Sequence, residues 1–315
     1  MTAAVRQDQE RVELKGRQAV SRTTIHGWPS FIFGIPFAGA GAAVLMIYTG
    51  HIQVSPSKIH APLWIIGVFG LLFLLAGLSF MWHGAIGLSR RARVEAAQAG
   101  RASSPWLWDY EWQALGITDN KFKKVIHAVI MLVVMGAFLA PFNWWAFASN
   151  EGGTMVTVMV VIFDLIFGLA CGYYLFRNLA LYLKYGNSRL RFNNFPFLLG
   201  DKLAVTLTGL PGEIRQLQLD LRFIEERYET RGSGKNRQSV VVCYQLFLDS
   251  RSLSGREVSQ SGNLAVDWPL PDQKEWTTTL SQRPPRYWEL EVKADTPGVD
   301  YHSRFLLPVY TSSTC

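Results

Sequence analysis

The chain has 315 residues, of which 49% are hydrophobic, and a net charge of +7. This hydrophobic fraction lies above the level at which a soluble protein is the default interpretation. A nucleic-acid-binding protein would explain the net charge, but residues 192–315 contain 14 Lys and Arg against 15 Asp and Glu. The positive excess therefore lies in the apolar part, where membrane topology explains it, and we expect no nucleic-acid partner.

Four long apolar runs decide the class of protein. They cover residues 28–50, 61–89, 125–150 and 152–176, and the first three contain no Asp, Glu, Lys or Arg. A helix needs about 20 residues to cross the roughly 30 Å hydrocarbon core of a bilayer. The runs therefore predict four transmembrane helices, in preference to four buried helices of a soluble protein. The long polar stretch before the first run argues against a cleaved signal peptide.

Basic residues predict how these helices are oriented. Arg and Lys are frequent before the first run, between the second and third runs, and after the fourth run, whereas the two short connections on the other side hold only Lys58. Positively charged loops stay in the cytoplasm. We therefore expect a multi-pass protein of the bacterial inner membrane, with both termini and the central loop in the cytoplasm and the lipid bilayer as its first partner.

Alternating hydrophobic residues mark the last third of the chain. The segments "KLAVTLTG", "LQLDLRF", "VVVCYQLFL", "YWELEVKA" and "SRFLLPVY" show the period of two that is typical of half-buried strands, and turn signals separate them. Short strands without helical patterns between them predict an antiparallel sandwich or barrel of immunoglobulin-like type, and we favour the sandwich. The predicted organisation is a cytoplasmic N-terminal arm (1–27), a four-helix transmembrane domain (28–186) with a Trp-rich cytoplasmic loop (90–124), and a cytoplasmic β-sandwich domain (187–315).

Two resemblances accompany these patterns. "FPFLLGDKLAVTLTG", "LRFIEERYETRG" and "YWELEVKADTPGVDYHSRFLLPVY" resemble the strand pattern of arrestin-like β-sandwiches, with a Gly-Asp lead-in to a first strand and a Pro-Gly-Val turn before a last one. The helical part, with two hairpins around "SPWLWDYEW", resembles an uncharacterised family of bacterial four-helix inner-membrane proteins. The first resemblance implies a scaffolding or recognition role, and neither supplies a catalytic motif or a matched phosphate-sensing residue.

The central loop combines helix signals with tryptophans. "LSRRARVEAAQAG" continues the second helix as far as Gly100, a typical C-terminal cap. In "SSPWLWDYEWQALGI", Ser104 is a candidate N-cap and predicts a short interfacial helix. Its expected anchors are Trp106, Trp108 and Trp112, because indole rings favour the headgroup boundary. Packing under the β-domain and a ligand-stacking platform are the alternatives.

Asp164 is the one charged residue in the fourth run. Thr157 and Cys171 lie seven residues from it on either side, and Gly168 and Gly172 follow it as a G-x-x-x-G pair, so all five are expected near one helical stripe. Such a glycine pair lets another helix approach closely, and we expect Asp164 to face protein rather than lipid. Three roles remain open: a polar clamp between helices, a contact with a separate protein, and a proton or ion pathway.

Small residues also recur at four-residue spacing in the first run, which predicts close helix packing there. These residues are Gly34, Ala38, Gly39, Ala42 and Ala43.

Histidines raise the question of a cofactor. His26, His83 and His127 all fall near the predicted cytoplasmic boundary, and imidazoles at matched depth could hold a metal or a haem. Helix ends commonly carry His as a polar boundary residue, however, and no Cys or carboxylate spacing completes a site. We therefore predict neither a metal nor a cofactor, and keep these residues as weak candidates.

Catalytic motifs are absent from the sequence, which has no C-x-x-C, H-E-x-x-H, Gly-rich phosphate loop or G-x-S-x-G. The carboxylate pairs Asp109 with Glu111 and Glu225 with Glu226 are expected on solvated faces. The cysteines imply no disulfide framework, which suits a cytoplasmic domain. A non-enzymatic protein is therefore expected.

Two functional hypotheses follow from the sequence. The first is a scaffold, adaptor or accessory subunit that binds other membrane protein subunits or a second copy of itself through the surface around Asp164. The second is a small oligomeric transporter or channel-like protein in which Asp164 titrates. We favour the first, because a transport path normally needs repeated intramembrane polar residues.

Overall fold

The computed structural model describes residues 11–17, 19–20, 27–54, 62–101, 103–149, 153–210, 214–234, 237–258 and 263–312. It divides into two compact units. The β unit comprises residues 1–24, 92–121 and 181–315, and the helical unit comprises residues 25–91 and 122–180.

Four long helices are the main elements of the first 185 residues: α1 (Trp28–Tyr48), α2 (Leu63–Gly100), α3 (Lys121–Phe147) and α4 (Thr154–Tyr185). By length and composition, these four described helices are long and apolar enough to cross a membrane. The predicted continuation of the second helix to Gly100 is confirmed. Proline lies inside α1 and α3, at Pro36 and Pro141, as membrane helices tolerate.

Glycines determine how α1 and α2 pack. A Cβ atom added to Gly77 would lie 2.2 Å from the Ala38 backbone nitrogen, and one added to Gly41 would lie 2.3 Å from the Leu74 nitrogen. The two helices therefore approach backbone to backbone, which confirms the predicted role of Gly34 and Ala38, whereas a Cβ at Gly39 would meet nothing within 4 Å.

Aromatic side chains join the next helix pair. Trp64 of α2 meets Trp144 of α3 edge to face at 6.3 Å between ring centroids, and Phe69 meets Phe142 at 6.2 Å. Within the helical unit, α2 therefore packs on α1 through glycines and on α3 through aromatic rings.

The β unit contains two larger antiparallel sheets and one short parallel pair. Its strands are β1 (Val12–Glu13), β2 (Gly116–Asp119), β3 (Ser188–Phe192), β4 (Phe197–Leu198), β5 (Lys202–Thr208), β6 (Gln216–Arg231), β7 (Gln238–Ser254), β8 (Asn263–Pro269), β9 (Arg286–Asp295), β10 (Tyr301–Leu307) and β11 (Val309–Tyr310), with a one-turn helix α5 (Gly255–Val258) after β7. The five-stranded sheet has the order β1-β7-β6-β9-β10 and the four-stranded sheet the order β2-β3-β5-β8.

One hydrophobic core receives side chains from both sheets. Leu203 and Trp268 come from the four-stranded sheet, while Leu221, Phe223 and Trp288 come from the five-stranded sheet. The alternation predicted for these segments is confirmed, because every second residue of β5 and β10 is buried. The opposite face of the five-stranded sheet, called the outer face below, carries Asp220, Arg222, Ile224 and Glu226 on β6 beside Glu291, Glu289 and Tyr287 on β9.

Candidate functional site

Asp164 is paired within the helical unit. Asn143 of α3 donates a hydrogen bond from Nδ2 to Asp164 Oδ1 at 3.0 Å and a second one to the Leu139 carbonyl. The same seam holds Thr157, whose hydroxyl donates to the Ala146 carbonyl of α3 at 3.1 Å. Asp164 and Thr157 therefore join α3 and α4, the geometry expected of a polar clamp between helices.

The inner stripe of α4 carries four polar or sulfur-containing side chains at seven-residue spacing. They are Thr157, Asp164, Cys171 and Asn178. Cys171 and Asn178 are buried, and the Asn178 side chain donates to the Tyr174 carbonyl of its own helix at 2.7 Å. The sequence prediction identified three of these positions and missed Asn178, which lies beyond the end of the apolar run.

Gly168 and Gly172 do not mediate packing among the described helices. A Cβ atom added to either residue would meet nothing within 4 Å, and Gly168 is exposed. Gly168 is displaced by about 40° around the helix axis from Asp164, and the expected approach of another helix at this glycine pair stays a prediction. The pair leaves open space beside the Asp164 stripe.

The predicted interfacial helix is wrong. Only Pro105–Leu107 forms a single 3-10 turn, after which the chain bends at Asp109 and reaches β2. Trp112 donates its indole N–H to the Tyr310 hydroxyl at 2.8 Å, the Trp106 ring lies 6.1 Å from the Tyr310 ring, and the Trp108 indole donates to the Arg101 carbonyl. The tryptophans therefore make their contacts within the β unit, and their role as lipid anchors stays a prediction.

Hydrogen bonds to the Asp109 carboxylate hold the chain in this bend. The carboxylate accepts hydrogen bonds from the backbone N–H groups of Leu280 and Ser281, from the Ser281 hydroxyl and from the Tyr310 hydroxyl, at 2.6–3.1 Å. The expected solvated position of Asp109 is wrong, because the carboxylate is 3% exposed. Burial raises the pKa of the Tyr310 phenol, and the nearby Asp109 charge raises it further.

The histidines do not form a metal site among the described residues. Within these residues, no group of three or more His, Cys, Asp or Glu side chains could hold a metal ion. His127 donates from Nδ1 to the Lys123 carbonyl of its own helix at 2.6 Å, and His83 is exposed. His26 lies outside the described residues.

Lys121, the first residue of α3, is the centre of a buried polar cluster that the sequence did not reveal. Its ammonium group donates to Asp119 Oδ2 and the Ser188 hydroxyl at 3.0 Å and to the Ser303 hydroxyl at 3.2 Å, and it lies 4.8 Å from the centroid of the Tyr301 ring. Lys121 is only 3% exposed. A buried ammonium group is stable only when paired in this way, so the cluster fixes the start of α3 in the β unit.

The end of α4 is fixed beside the same cluster. Lys184 donates to the Thr296 hydroxyl at 3.1 Å and to the Val299 carbonyl at 2.9 Å. Tyr185 is buried, donates to the Val299 carbonyl, and packs edge to face on Tyr301 at 5.3 Å. The turn between β9 and β10 therefore encloses the last residues of α4.

Buried carboxylates line both faces of β6. The expected solvated positions of Glu225 and Glu226 are wrong, because both are fully or almost fully buried. Glu225 is paired with Arg227 and Arg286, and Glu226 accepts from the Tyr287 hydroxyl at 3.0 Å. These partners come from neighbouring strands or two positions along β6, which is why a local sequence pattern did not predict burial.

On the outer face, Glu291 binds several cations at once. Burial by itself raises the pKa of the Glu291 carboxyl, but hydrogen bonds from His302, Lys293 and Arg304, together with the charge of Arg222, outweigh it and hold this pKa well below its usual range. Lys293, His302 and Arg304 are each roughly 40–45% exposed at their side chains. This half of the outer face is thus charged and open to solvent.

The other half of the outer face is covered by the N-terminal segment, residues 11–17 with 19 and 20, which we call the strap. Val12 and Glu13 pair antiparallel with Gln245 and Tyr244 of β7. The Arg17 guanidinium forms a buried ion pair with Glu289. The sequence predicted residues 1–27 as a polar arm and gave no sign that part of it joins the sheet.

Comparisons with known proteins add little to this geometry. No family model matches the sequence, and no curated protein matches it. The structure is similar to that of Spo0M, a sporulation control protein from Bacillus subtilis, at 11% sequence identity and a TM-score of 0.23. The match covers 39% of this chain and 49% of that protein, so the chain spans about half the length of Spo0M. A likeness at this level carries no argument.

Chemically, the described sites are suited to holding parts of the chain together and to recognition. The polar groups of Lys121, Asp109 and Asp164 all hydrogen-bond to other groups of the protein. The outer face differs, because its carboxylates are partly covered by a segment that pairs with the sheet over only two residues.

Proposed function

We propose that the chain is an integral membrane protein whose four helices anchor a cytoplasmic β-sandwich, and that it acts as a non-enzymatic adaptor or accessory subunit of a membrane protein complex. Four described helices of sufficient length and apolarity support the membrane anchor. The excess of Lys and Arg over Asp and Glu in residues 1–27, 90–124 and 177–191 supports a cytoplasmic β unit.

The arrangement of strands supports a sandwich. The two larger sheets contribute to one core, and their edges meet at two places. Ser303 of β10 donates to Asp119 of β2 at 2.8 Å, and Trp268 of β8 donates to Asp249 of β7 at 2.5 Å. Two antiparallel sheets around one core are typical of immunoglobulin-like and arrestin-like sandwiches, which commonly serve as recognition modules.

One observation carries the adaptor proposal: the ends of two anchor helices are integral parts of the β unit. Lys121 begins α3 and Tyr185 ends α4, and both side chains are buried among residues of β2, β3 and β10. The residues at these two helix ends are therefore organised as part of the β unit itself. This suits a subunit that presents a defined surface to its partners.

The open space at Gly168 and Gly172 is the proposed contact for a partner helix. A Cβ atom added to Gly168 meets nothing within 4 Å among the described residues, and a leucine there would occupy the space that a partner helix needs. Gly136 of α3 is the matched control, because it is also an exposed helical glycine with nothing within 4 Å.

The test is purification of the tagged chain from its own membranes in mild detergent, with mass spectrometry of the bound proteins. We expect stoichiometric partners, or a second copy, with the wild type and with Gly136→Leu, and at least a tenfold loss with Gly168→Leu. A wild-type chain that purifies alone, or partners that survive Gly168→Leu unchanged, would contradict the adaptor proposal.

A small oligomeric transporter is a second candidate, and the stripe of Thr157, Asp164, Cys171 and Asn178 on α4 favours it. Thr157 and Asn178 are 21 residues apart, or about 32 Å at 1.5 Å per residue, which is close to the thickness of a bilayer core. The candidate predicts pH-dependent flux in proteoliposomes that is lost in Asp164→Asn. Flux no greater than that of empty vesicles would eliminate it.

A further inference from the structure

The strap lies over a part of the outer face that is unlike an ordinary sheet surface. Beneath it are Glu226 and Glu289, which are 0% and 1% exposed. A small hydrophobic cluster surrounds them, formed by Ala19, Ile224, Cys243 and Tyr287 with Leu14, Val20 and Leu306 packed against it. Apolar pockets that contain carboxylates are suited to holding a cationic side chain on an extended segment.

The contacts of the strap are those of a bound peptide. Its backbone forms a two-residue ladder with β7, and the Leu14 N–H donates to the Cys243 carbonyl at 2.9 Å. Its charged side chains then provide specificity. The Glu13 carboxylate accepts hydrogen bonds from both Nη groups of Arg231 at 2.9–3.0 Å, and the buried Arg17 guanidinium pairs with Glu289 on the outer face. Strand addition to a sheet edge, together with a side-chain pocket, is a common mode of peptide recognition.

Several side chains of the strap point to solvent even where its backbone is held. Arg11, Val12, Lys15 and Gly16 are exposed, and the Val20 N–H reaches Glu226 Oε1 at 2.5 Å. Recognition therefore depends on one acidic residue, one arginine four positions later, and the aliphatic residues Leu14, Ala19 and Val20 that pack on the cluster. Among the described residues, Arg17 is the one cation within ion-pair distance of Glu289.

We propose that this part of the outer face is a binding site for an extended, arginine-bearing peptide segment, and that the strap is the chain's own occupant of that site. A partner protein that carries an acid-x-x-x-Arg segment binds by replacing the strap along β7. Because an intramolecular segment acts at about millimolar effective concentration, the partner binds well only when the strap is released. The inference goes beyond the adaptor role and does not depend on membrane insertion.

Cys243 provides a built-in reporter of strap release. It is buried beneath the strap, and desolvation raises the pKa of its thiol to about 11, so it reacts slowly with alkylating reagents while the site is covered. Loss of the strap removes Leu14 and Ala19 from around this thiol. Faster alkylation of Cys243 therefore measures opening of the site.

The first experiment uses the full chain in detergent, with Cys315 replaced by Ser, and a variant that also lacks residues 1–20. Alkylation of Cys243 by N-ethylmaleimide is followed by peptide mass spectrometry. We expect at least tenfold faster alkylation in the shortened variant and saturable protection by an added peptide of residues 11–20. The same peptide with Arg17→Gln is expected to protect at least tenfold less well, whereas the peptide with Lys15→Gln, changed at an exposed cation, is expected to protect equally.

The second experiment covers the case in which the shortened variant does not fold. Arg17→Gln and Lys15→Gln are compared in the intact chain, and only Arg17→Gln is expected to speed alkylation of Cys243. Equal alkylation rates for these two variants would overturn the proposal. Failure of the peptide to protect a folded shortened variant, or equal protection by the Arg17→Gln peptide, would overturn it as well. Neither outcome bears on the co-purification test of the adaptor role.

Discussion

The two units of this chain bury polar groups by different rules. In the helical unit, α1 and α2 approach each other closely at glycines, and polar side chains hydrogen-bond to a backbone carbonyl or to one side chain of a neighbouring helix, as Asn143 does with Asp164. In the β unit, full charges are buried together, as in Lys121 with Asp119 and Arg17 with Glu289. The helical unit therefore relies on close backbone packing, whereas the β unit adds buried electrostatic pairs to its hydrophobic core.

Breaking the Lys121 pair should give the largest effect. We expect Asp119→Leu or Lys121→Met alone to destabilise the β unit by about 3–5 kcal/mol, because each leaves an uncompensated buried charge. The double variant should be much closer to wild type, since replacing both partners by apolar groups removes that charge. Urea unfolding of the three variants in detergent checks this, and a double variant as unstable as the sum of the singles would refute it.

A glycine substitution tests the close backbone packing of the helical unit. Gly77→Ala places a Cβ atom 2.2 Å from the Ala38 backbone nitrogen, so α1 and α2 must separate, and we expect a loss of about 1–3 kcal/mol. Gly39→Ala is the control, because its Cβ atom meets nothing within 4 Å. Thermal unfolding of the purified chain in detergent compares the two. Equal midpoints would mean that α1 and α2 do not pack through their backbones.

Much of this architecture could be predicted from the sequence, because helices and strands have local patterns. The four apolar runs matched α1 to α4, and the period-two segments matched β5, β6, β7, β9 and β10. The buried pairs could not be predicted, because their partners are distant in sequence: Lys121 and Ser303 are 182 residues apart, and Arg17 and Glu289 are 272 apart. A carboxylate such as Glu226 has the same local pattern whether water or a strap covers it.

The pH dependence of the stability of the β unit tests how much its buried charges contribute. Glu291→Gln should lower stability at neutral pH by about 1.5 kcal/mol, because the carboxylate accepts charged hydrogen bonds from partly exposed donors. Since the folded-state pKa of Glu291 lies below the unfolded value of about 4.3, this stabilisation is complete above that value and is lost as the pH falls through the folded-state pKa. Urea unfolding from pH 7 downward should show the two curves converging.

The exposed Glu275 supplies the control for that experiment. Glu275→Gln should leave the pH dependence of stability at its wild-type form. A constant difference between wild type and Glu291→Gln at every pH would show that the charge of Glu291 is not what stabilises the sheet.

The smallest effect is expected at Asp164. Asp164→Leu removes the hydrogen bond from Asn143 and should destabilise the helical unit by about 0.6 kcal/mol, the usual value for such bonds between membrane helices. Asp164→Asn keeps an acceptor for Asn143 and should be near neutral. Thermal unfolding in detergent distinguishes the variants, and a larger loss in Asp164→Asn than in Asp164→Leu would argue for a role of the charge itself.

Sidedness of the chain in a membrane tests the central claim most directly. Single cysteines at Gln53, in the α1–α2 connection, and at Glu275, in the β unit, are exposed positions that an impermeant maleimide can reach. With Cys315 replaced by Ser, intact bacterial cells that express the chain should label Gln53→Cys at once and Glu275→Cys only after lysis. Labelling of Glu275→Cys in intact cells, or release of the chain from membranes by alkaline carbonate, would contradict a membrane-anchored protein with a cytoplasmic β unit.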